Sequence, residues 1–194
     1  MSNLFFYDLE TTGVKHWKNG IHQISGAVEI DGKVIETFDI HVKPNENAII
    51  EPEALAVANV TLEQVNEYPP MRSVYSNIIK MLGKYVSKFD KKDKFHLIGY
   101  NNRSFDDQFF RAFFAQNNDV YFGSWFWADS IDVLVLASHC LQSERANLEN
   151  FQLRTVAKYL GVEVDESKLH DALYDIEITR KIYHILIHKY LRNA

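Results

Sequence analysis

The apolar and polar positions of this chain change period from segment to segment, and each period predicts an element. Leu4-Phe5-Phe6-Tyr7 runs without a polar break into Asp8-Leu9-Glu10 and ends at Thr11-Thr12-Gly13. A short, bulky apolar run of this kind predicts a central strand covered on both faces. His22 to Ile30 and Lys33 to Val42 alternate polar and apolar residues around Asp31-Gly32, which predicts a hairpin. Phe95 to Tyr100 reads as another short buried strand. Helices are predicted over Pro52 to Asn59, Ser73 to Phe89, Ser130 to Leu141 and Phe151 to Leu160, with Gly161 as the stop of the last. The order fits an α/β fold.

Four carboxylates fall where this pattern does not welcome them. Asp8 and Glu10 lie on one side of their strand, roughly 6.6 Å apart at about 3.3 Å per residue. The ordinary alternative is a strand edge emerging into water with both acids solvated. From Phe105 to Phe114, a helical projection at about 100° per residue gathers Phe105, Phe109, Phe110, Phe113 and Phe114 on one arc, and Asp106 points at its middle. Asp107 has a simpler explanation, because Ser104-x-x-Asp107 has the spacing of a capping box. After Asp171, an N-cap by its position, the arc of Ile176, Ile178, Ile182, Tyr183, Ile185 and Leu186 has Asp175 near its centre. Glu177, Lys181, His184 and His188 form the opposite face. His184 and His188 are spaced like metal ligands, but their polar, lysine-flanked face predicts a solvated pair.

Buried carboxylates that share a site repel one another, so this arrangement makes physical sense when cations balance it. Two divalent ions would neutralise four acids. All-oxygen ligands without cysteine select hard ions, Mg²⁺ or Mn²⁺ in preference to Zn²⁺. Mg²⁺ usually completes its shell with substrate phosphate, which directs the expectation toward phosphoryl chemistry.

The segments Asp8-x-Glu10-Thr11-Thr12-Gly13, Asn102-x-x-Phe105-Asp106-x-x-Phe109 and His170-Asp171-Ala172-x-x-Asp175 occur in this order. Together they resemble the three motifs of the DnaQ-like (DEDDh) 3′-to-5′ exonucleases, and the resemblance covers nearly the whole chain. It implies an RNase H-like fold, a mixed five-stranded sheet flanked by helices. It also implies two Mg²⁺ or Mn²⁺ ions held by Asp8, Glu10, Asp106 and Asp175, with His170 as the general base that activates the attacking water. An imidazole with a free pKa near 6.5 suits that task around neutrality; outside the resemblance, His170 would be read as a surface histidine. Leu9, Thr11, Thr12, Gly13 and Asn102 are the implied substrate contacts. Asp132, in Ser130-Ile131-Asp132-Val133-Leu134, resembles an acid of the family and is expected to be structural.

Composition is compatible with one exonuclease domain over residues 1–194. The chain is 46% apolar and carries no linker, repeat or low-complexity tract. The lone Cys140 excludes an intramolecular disulfide and suits a reducing cytoplasm, and no signal peptide or membrane-spanning run is evident. A net charge of −5 argues against gripping a long duplex and for engagement of a short stretch at a single-stranded 3′ end. The 26 aromatic residues exceed what a core is expected to consume, and exposed rings stack on bases. In the loop Lys15-His16-Trp17-Lys18-Asn19-Gly20, Trp17 is a candidate for that role, the alternative being a plain surface loop.

Two departures affect the terminal-nucleotide contacts. Val57-Ala58-Asn59-Val60-Thr61 stands where many relatives carry His-Gly-Ile/Leu-Thr, and Asn101 stands where a histidine often precedes the motif asparagine. The chain ends soon after its last helix, so a freestanding enzyme is expected rather than one with a dedicated polymerase partner; the sequence is silent on oligomeric state. The leading expectation is a metal-dependent 3′-to-5′ exonuclease that releases nucleoside 5′-monophosphates from single-stranded DNA. An RNA-directed enzyme of the same chemistry is the alternative, and a non-catalytic nucleic-acid-binding module is the third.

Overall fold

The computed structural model describes residues 3–166 and 171–191, so the expected base His170 lies outside the described residues. Five strands form one sheet: β1 (Asn3–Thr11), β2 (Ile21–Ile30), β3 (Lys33–His41), β4 (His96–Gly99) and β5 (Ile131–Asp132), in the order β3-β2-β1-β4-β5. β2 pairs antiparallel with β1 and β3, while β4 runs parallel to both β1 and β5, so the sheet is mixed. The β2–β3 turn places Asp31 at φ 50° and Gly32 at φ 81°, two positive angles that match a tight hairpin to the strand twist.

Among the described residues, seven α-helices accompany the sheet: α1 (Pro52–Val57), α2 (Leu62–Glu67), α3 (Met71–Leu82), α4 (Asp106–Gln116), α5 (Val133–Cys140), α6 (Leu153–Tyr159) and α7 (Ala172–Leu186). Alternation along β1 sends its side chains into two separate cores. Phe5, Tyr7 and Leu9 join a cluster with Val74 and Ile78 of α3 and Phe109, Phe110, Phe113 and Phe114 of α4. Leu4 and Phe6 join the other, with Val133 of α5, Val156 of α6 and Ile176, Ile178 and Ile182 of α7. The first core is rich in rings: Phe110 lies 5.3–6.3 Å, centroid to centroid, from Phe5, Tyr7, Phe114, Phe122 and Phe126. Most phenylalanines are interior, whereas Trp17, Phe89, Tyr121 and Tyr159 keep exposed rings.

Several boundaries differ from those predicted. The segment expected to be helical from Ser130 instead begins as β5, where Ile131 and Asp132 pair with Ile98 and Gly99. Asp132 then caps α5 by accepting from the backbone N–H of Leu134 at 3.0 Å and Val135 at 3.5 Å, which supports a structural role for it. The helix predicted to reach Phe89 ends at Leu82 with Gly83 as its cap. α2 was not predicted, although Thr61 and Gln64 form a capping box, with bonds of 3.2 and 2.7 Å. Although β2 alternates polar and apolar residues, His22, Ser25 and Glu29 are buried because helices cover both sides of it. Among the described residues, no helix is long and apolar enough to cross a membrane.

Candidate active site

The acids converge at the C-terminal end of β1. Asp8 and Glu10 leave the strand on the face opposite Tyr7 and Leu9, toward α7. Asp175 comes from the first turn of α7, whose start is fixed by Asp171 accepting from the backbone N–H of Tyr174 at 3.1 Å. A cavity of about 180 Å³ is lined by Asp8 and Asp175 together with Tyr7, Tyr100, Ile176 and Thr179. Asp106 reaches the same strand end from the other layer, as the first residue of α4, and accepts from the Leu9 backbone N–H at 3.1 Å. Leu9 separates Asp8 from Glu10, so this bond brings the acid of the second segment to the pair on the strand.

Electrostatics bind the group together. Burial, then the charges of Glu10 and Asp175, push the Asp8 carboxyl up to about 7. Burial, then the charge of Asp8, holds Asp106 well above the usual carboxylate range. The part of these shifts that comes from repulsion between neighbouring acids would be relieved by a bound cation, with which protons compete. The donor set is all oxygen and fits a hard divalent ion. Among the described residues, no three or more His, Cys, Asp or Glu side chains form a ready-made cage. The structure thus supplies the donor chemistry and the electrostatic demand, and not a closed coordination sphere.

The loop after β1 is braced from within. Thr12 Oγ1 donates to the Ile49 carbonyl at 2.9 Å and accepts from the Gly20 N–H at 2.9 Å, and Thr11 Oγ1 donates to the Gly13 carbonyl at 2.8 Å. Asn19 bridges the Lys15 N–H and the Ile49 carbonyl at 2.9 and 2.8 Å. Gly13 is required here, since a Cβ would collide with the Asn19 side chain. Leu9, Thr11, Thr12 and Gly13 are all buried. Trp17 differs: it is 71% exposed on a braced loop, with the His16 ring 5.1 Å from it and 6.2 Å from Phe109. A separate recess of about 620 Å³, lined by Trp17, Lys18, Lys43, Pro44, Asn47 and Gln116, borders the loop on the side of α3 and the far end of α4.

Three sequence readings are corrected. Asp107 is not a solvated cap: it is buried, and it accepts from Tyr7 Oη, Ser130 Oγ and Asn102 Nδ2. Asn102 is fully buried with its amide on Asp107, which removes that side chain from direct reach of a ligand. His184 is only part-exposed, its Nε2 3.0 Å from Oε2 of Glu29, which Arg180 also meets at 2.9 Å, whereas His188 is exposed. Glu29 itself is fully buried on β2 and was missed, because a glutamate in an alternating strand reads as an outward residue.

The RNase_T family model, described as Exonuclease, matches residues 5–183. Exodeoxyribonuclease I of Escherichia coli is 28% identical over 194 residues, spanning 92% of this chain and 38% of that protein. Ribonuclease T of Shewanella denitrificans is 26% identical over 192 residues, spanning 94% of this chain and 79% of that protein. A PolC-type DNA polymerase III of Mycoplasmopsis pulmonis also matches, and this chain spans only 11% of it. A zinc-bound E. coli exonuclease I–ssDNA complex superposes with a TM-score of 0.78 at 24% identity, covering 99% of this chain and 42% of that one. The fold is accordingly the RNase H-like one, and the chain corresponds to well under half of exonuclease I.

Proposed function

The chain belongs to the RNase_T exonuclease family, among the DnaQ-like exonucleases, and on that premise we propose that it removes nucleoside 5′-monophosphates from the 3′ end of single-stranded DNA. The observation that carries this reading is the placement of the acids at one strand end: Asp106 accepts from the Leu9 N–H between Asp8 and Glu10, and Asp8 and Asp175 line one cavity. Such a group of acids is destabilising by itself and is explained by a cation-dependent task.

In this reading the four acids hold two Mg²⁺ or Mn²⁺ ions, in keeping with the divalent-metal dependence of the family. When bound, the ions supply Lewis acidity at the scissile phosphate and positive charge beside the departing 3′ oxygen. The chain's own residues do the remaining work. His170 takes the proton of the attacking water. Leu9, Thr11, Thr12 and Gly13 form the rigid wall against which the terminal nucleotide rests. Asn102 acts indirectly, through Asp107. Trp17 presents a ring for an upstream base to stack on.

The matches to exodeoxyribonuclease I and to the exonuclease I–ssDNA complex favour DNA. The Ribonuclease T match, which spans most of that protein, favours RNA as the second reading. Matched DNA and RNA oligonucleotides, labelled at the 5′ end and incubated with Mg²⁺, Mn²⁺ or chelator, separate the two. Shortening of DNA with release of 5′-monophosphates identified by mass is the expected result. Preferential shortening of RNA would replace the DNA assignment, and no metal-dependent cleavage of either would overturn the nuclease reading.

A further inference from the structure

Behind the acid pocket, a second carboxylate is placed next to Asp106 in sequence but faces inward. Asp107, 8% exposed, accepts from Ser130 Oγ at 2.5 Å, from Asn102 Nδ2 at 3.2 Å and from Tyr7 Oη. Its three donors come from β1, from the turn before α4 and from the segment leading into β5. Tyr7 directly precedes Asp8, and it is 2% exposed with its hydroxyl pushed well above its ordinary range by burial and then by Asp107 and Asp106.

The local sequence offers little else to orient the start of α4. Its N-cap, Phe105, makes no side-chain cap. Its first turn is instead tied to β1 at two points, Asp106 to the Leu9 N–H and Asp107 to the Tyr7 hydroxyl. One tie would leave the helix end free to swivel about it; two on consecutive residues fix the rotation that aims Asp106. The turn ahead of the helix is held as firmly. Asp132 accepts from the N–H of Asn101 at 3.0 Å and of Arg103 at 3.4 Å. Asn102 presses so closely on β4 that a Cβ on Gly99 would come within 2.7 Å of the Asn102 Cβ and 3.1 Å of the Tyr7 carbonyl.

We propose that Asp107, anchored by Tyr7, Ser130 and Asn102, is the positioning residue that sets how Asp106 enters the acid pocket and thereby the affinity of that pocket for divalent metal. This rests on the reading of the four acids as the metal-binding group. Asp107 touches neither metal nor substrate; it acts through Asp106.

The test is Mn²⁺ binding measured by calorimetry without substrate, alongside melting curves in chelator and the Mn²⁺ dependence of cleavage. Removing an outer partner of a metal ligand typically weakens binding about tenfold or more, and that loss is expected for Tyr7→Phe, Ser130→Ala and Asp107→Asn. At saturating Mn²⁺ the KM for the oligonucleotide stays at the parent value, because the substrate wall is intact. Ser130→Thr, which keeps the hydroxyl, restores parent affinity. Should Asp107→Asn fail to fold, the Tyr7 and Ser130 variants decide. Variants that melt cooperatively yet bind Mn²⁺ like the parent, or a Ser130→Thr no better than Ser130→Ala, would overturn the proposal. Asp106→Ala separates the premise: if it binds Mn²⁺ and cleaves like the parent, the metal assignment fails too, whereas a dead Asp106→Ala beside a parent-like Tyr7→Phe rejects the positioning role alone.

Discussion

Asp106 accepts a 3.1 Å hydrogen bond from the backbone N–H of Leu9, the residue that separates Asp8 from Glu10. This contact joins segments 97 residues apart and makes the acids one electrostatic unit. Replacing any one of them therefore has two opposed effects, on chemistry and on stability.

For Asp8→Ala, Asp106→Ala and Asp175→Ala, cleavage of a single-stranded oligonucleotide is expected to fall about a thousandfold, equivalent to roughly 4 kcal/mol of transition-state stabilisation. The isosteric Asp8→Asn should melt at a higher temperature than the parent in chelator, because it removes repulsion without opening a cavity. Parent-like turnover by Asp8→Ala and Asp175→Ala together would remove these residues from the mechanism.

Stability should depend on pH in a direction set by Asp8. Its carboxyl is pushed up to about 7 in the folded state, against roughly 3.9 when unfolded, so the folded protein holds this proton more tightly. The stabilisation is fully present below about pH 4 and is lost as pH rises through about 7. His22, buried and lowered to about 4, contributes with the opposite sign: its stabilisation is present above about pH 6.5 and is lost on acidification. Comparing the parent with Asp8→Asn in chelator isolates the Asp8 contribution, and the variant should show a smaller decline between about pH 5 and 8, because Asp106, raised by its own burial, still contributes with the same sign. Added Mn²⁺ should raise the parent's melting temperature more at pH 8 than at pH 5, since proton and metal compete. Equal shifts at both values would contradict the shared site.

The buried glutamate of β2 predicts an asymmetric pair of variants. Arg180→Ala leaves Glu29 without its guanidinium partner at a side-chain exposure of 1%, and should cost about 3 kcal/mol or more in a urea titration. The double change Glu29→Met with Arg180→Met removes both charges and should cost much less than Arg180→Ala. A negligible loss in Arg180→Ala would show that the pair does not hold α7 to the sheet.

Trp17→Ala should leave the fold unchanged, given the exposure of the ring, while weakening binding of a labelled single-stranded oligonucleotide by about tenfold, within the roughly 1–3 kcal/mol typical of one stacked base. Fluorescence anisotropy in an Asp8→Ala background measures this without cleavage. Unchanged affinity would return the loop to a plain surface turn.

The sequence was most legible where a polar residue broke an apolar period. Asp8, Glu10, Asp106 and Asp175 stood out for that reason, and the structure brings all four to one strand end. Asp107 and Glu29 were hidden because each had a plausible local explanation, a helix cap in one case and an outward strand position in the other. Their true partners, Tyr7 and Ser130 for the first and Arg180 and His184 for the second, are tens to more than a hundred residues away, and no window of sequence displays them. β5 was read as helix because a two-residue strand has no period of its own; only its pairing with β4 defines it.

The acids straddle the sheet. Asp106 begins a helix that belongs to the phenylalanine-rich core, whereas Asp175 lies in the first turn of one that packs into the other core across β1. On the proposed function, the four acids come together only when both layers have packed against β1, so cleavage would double as a readout of completed assembly.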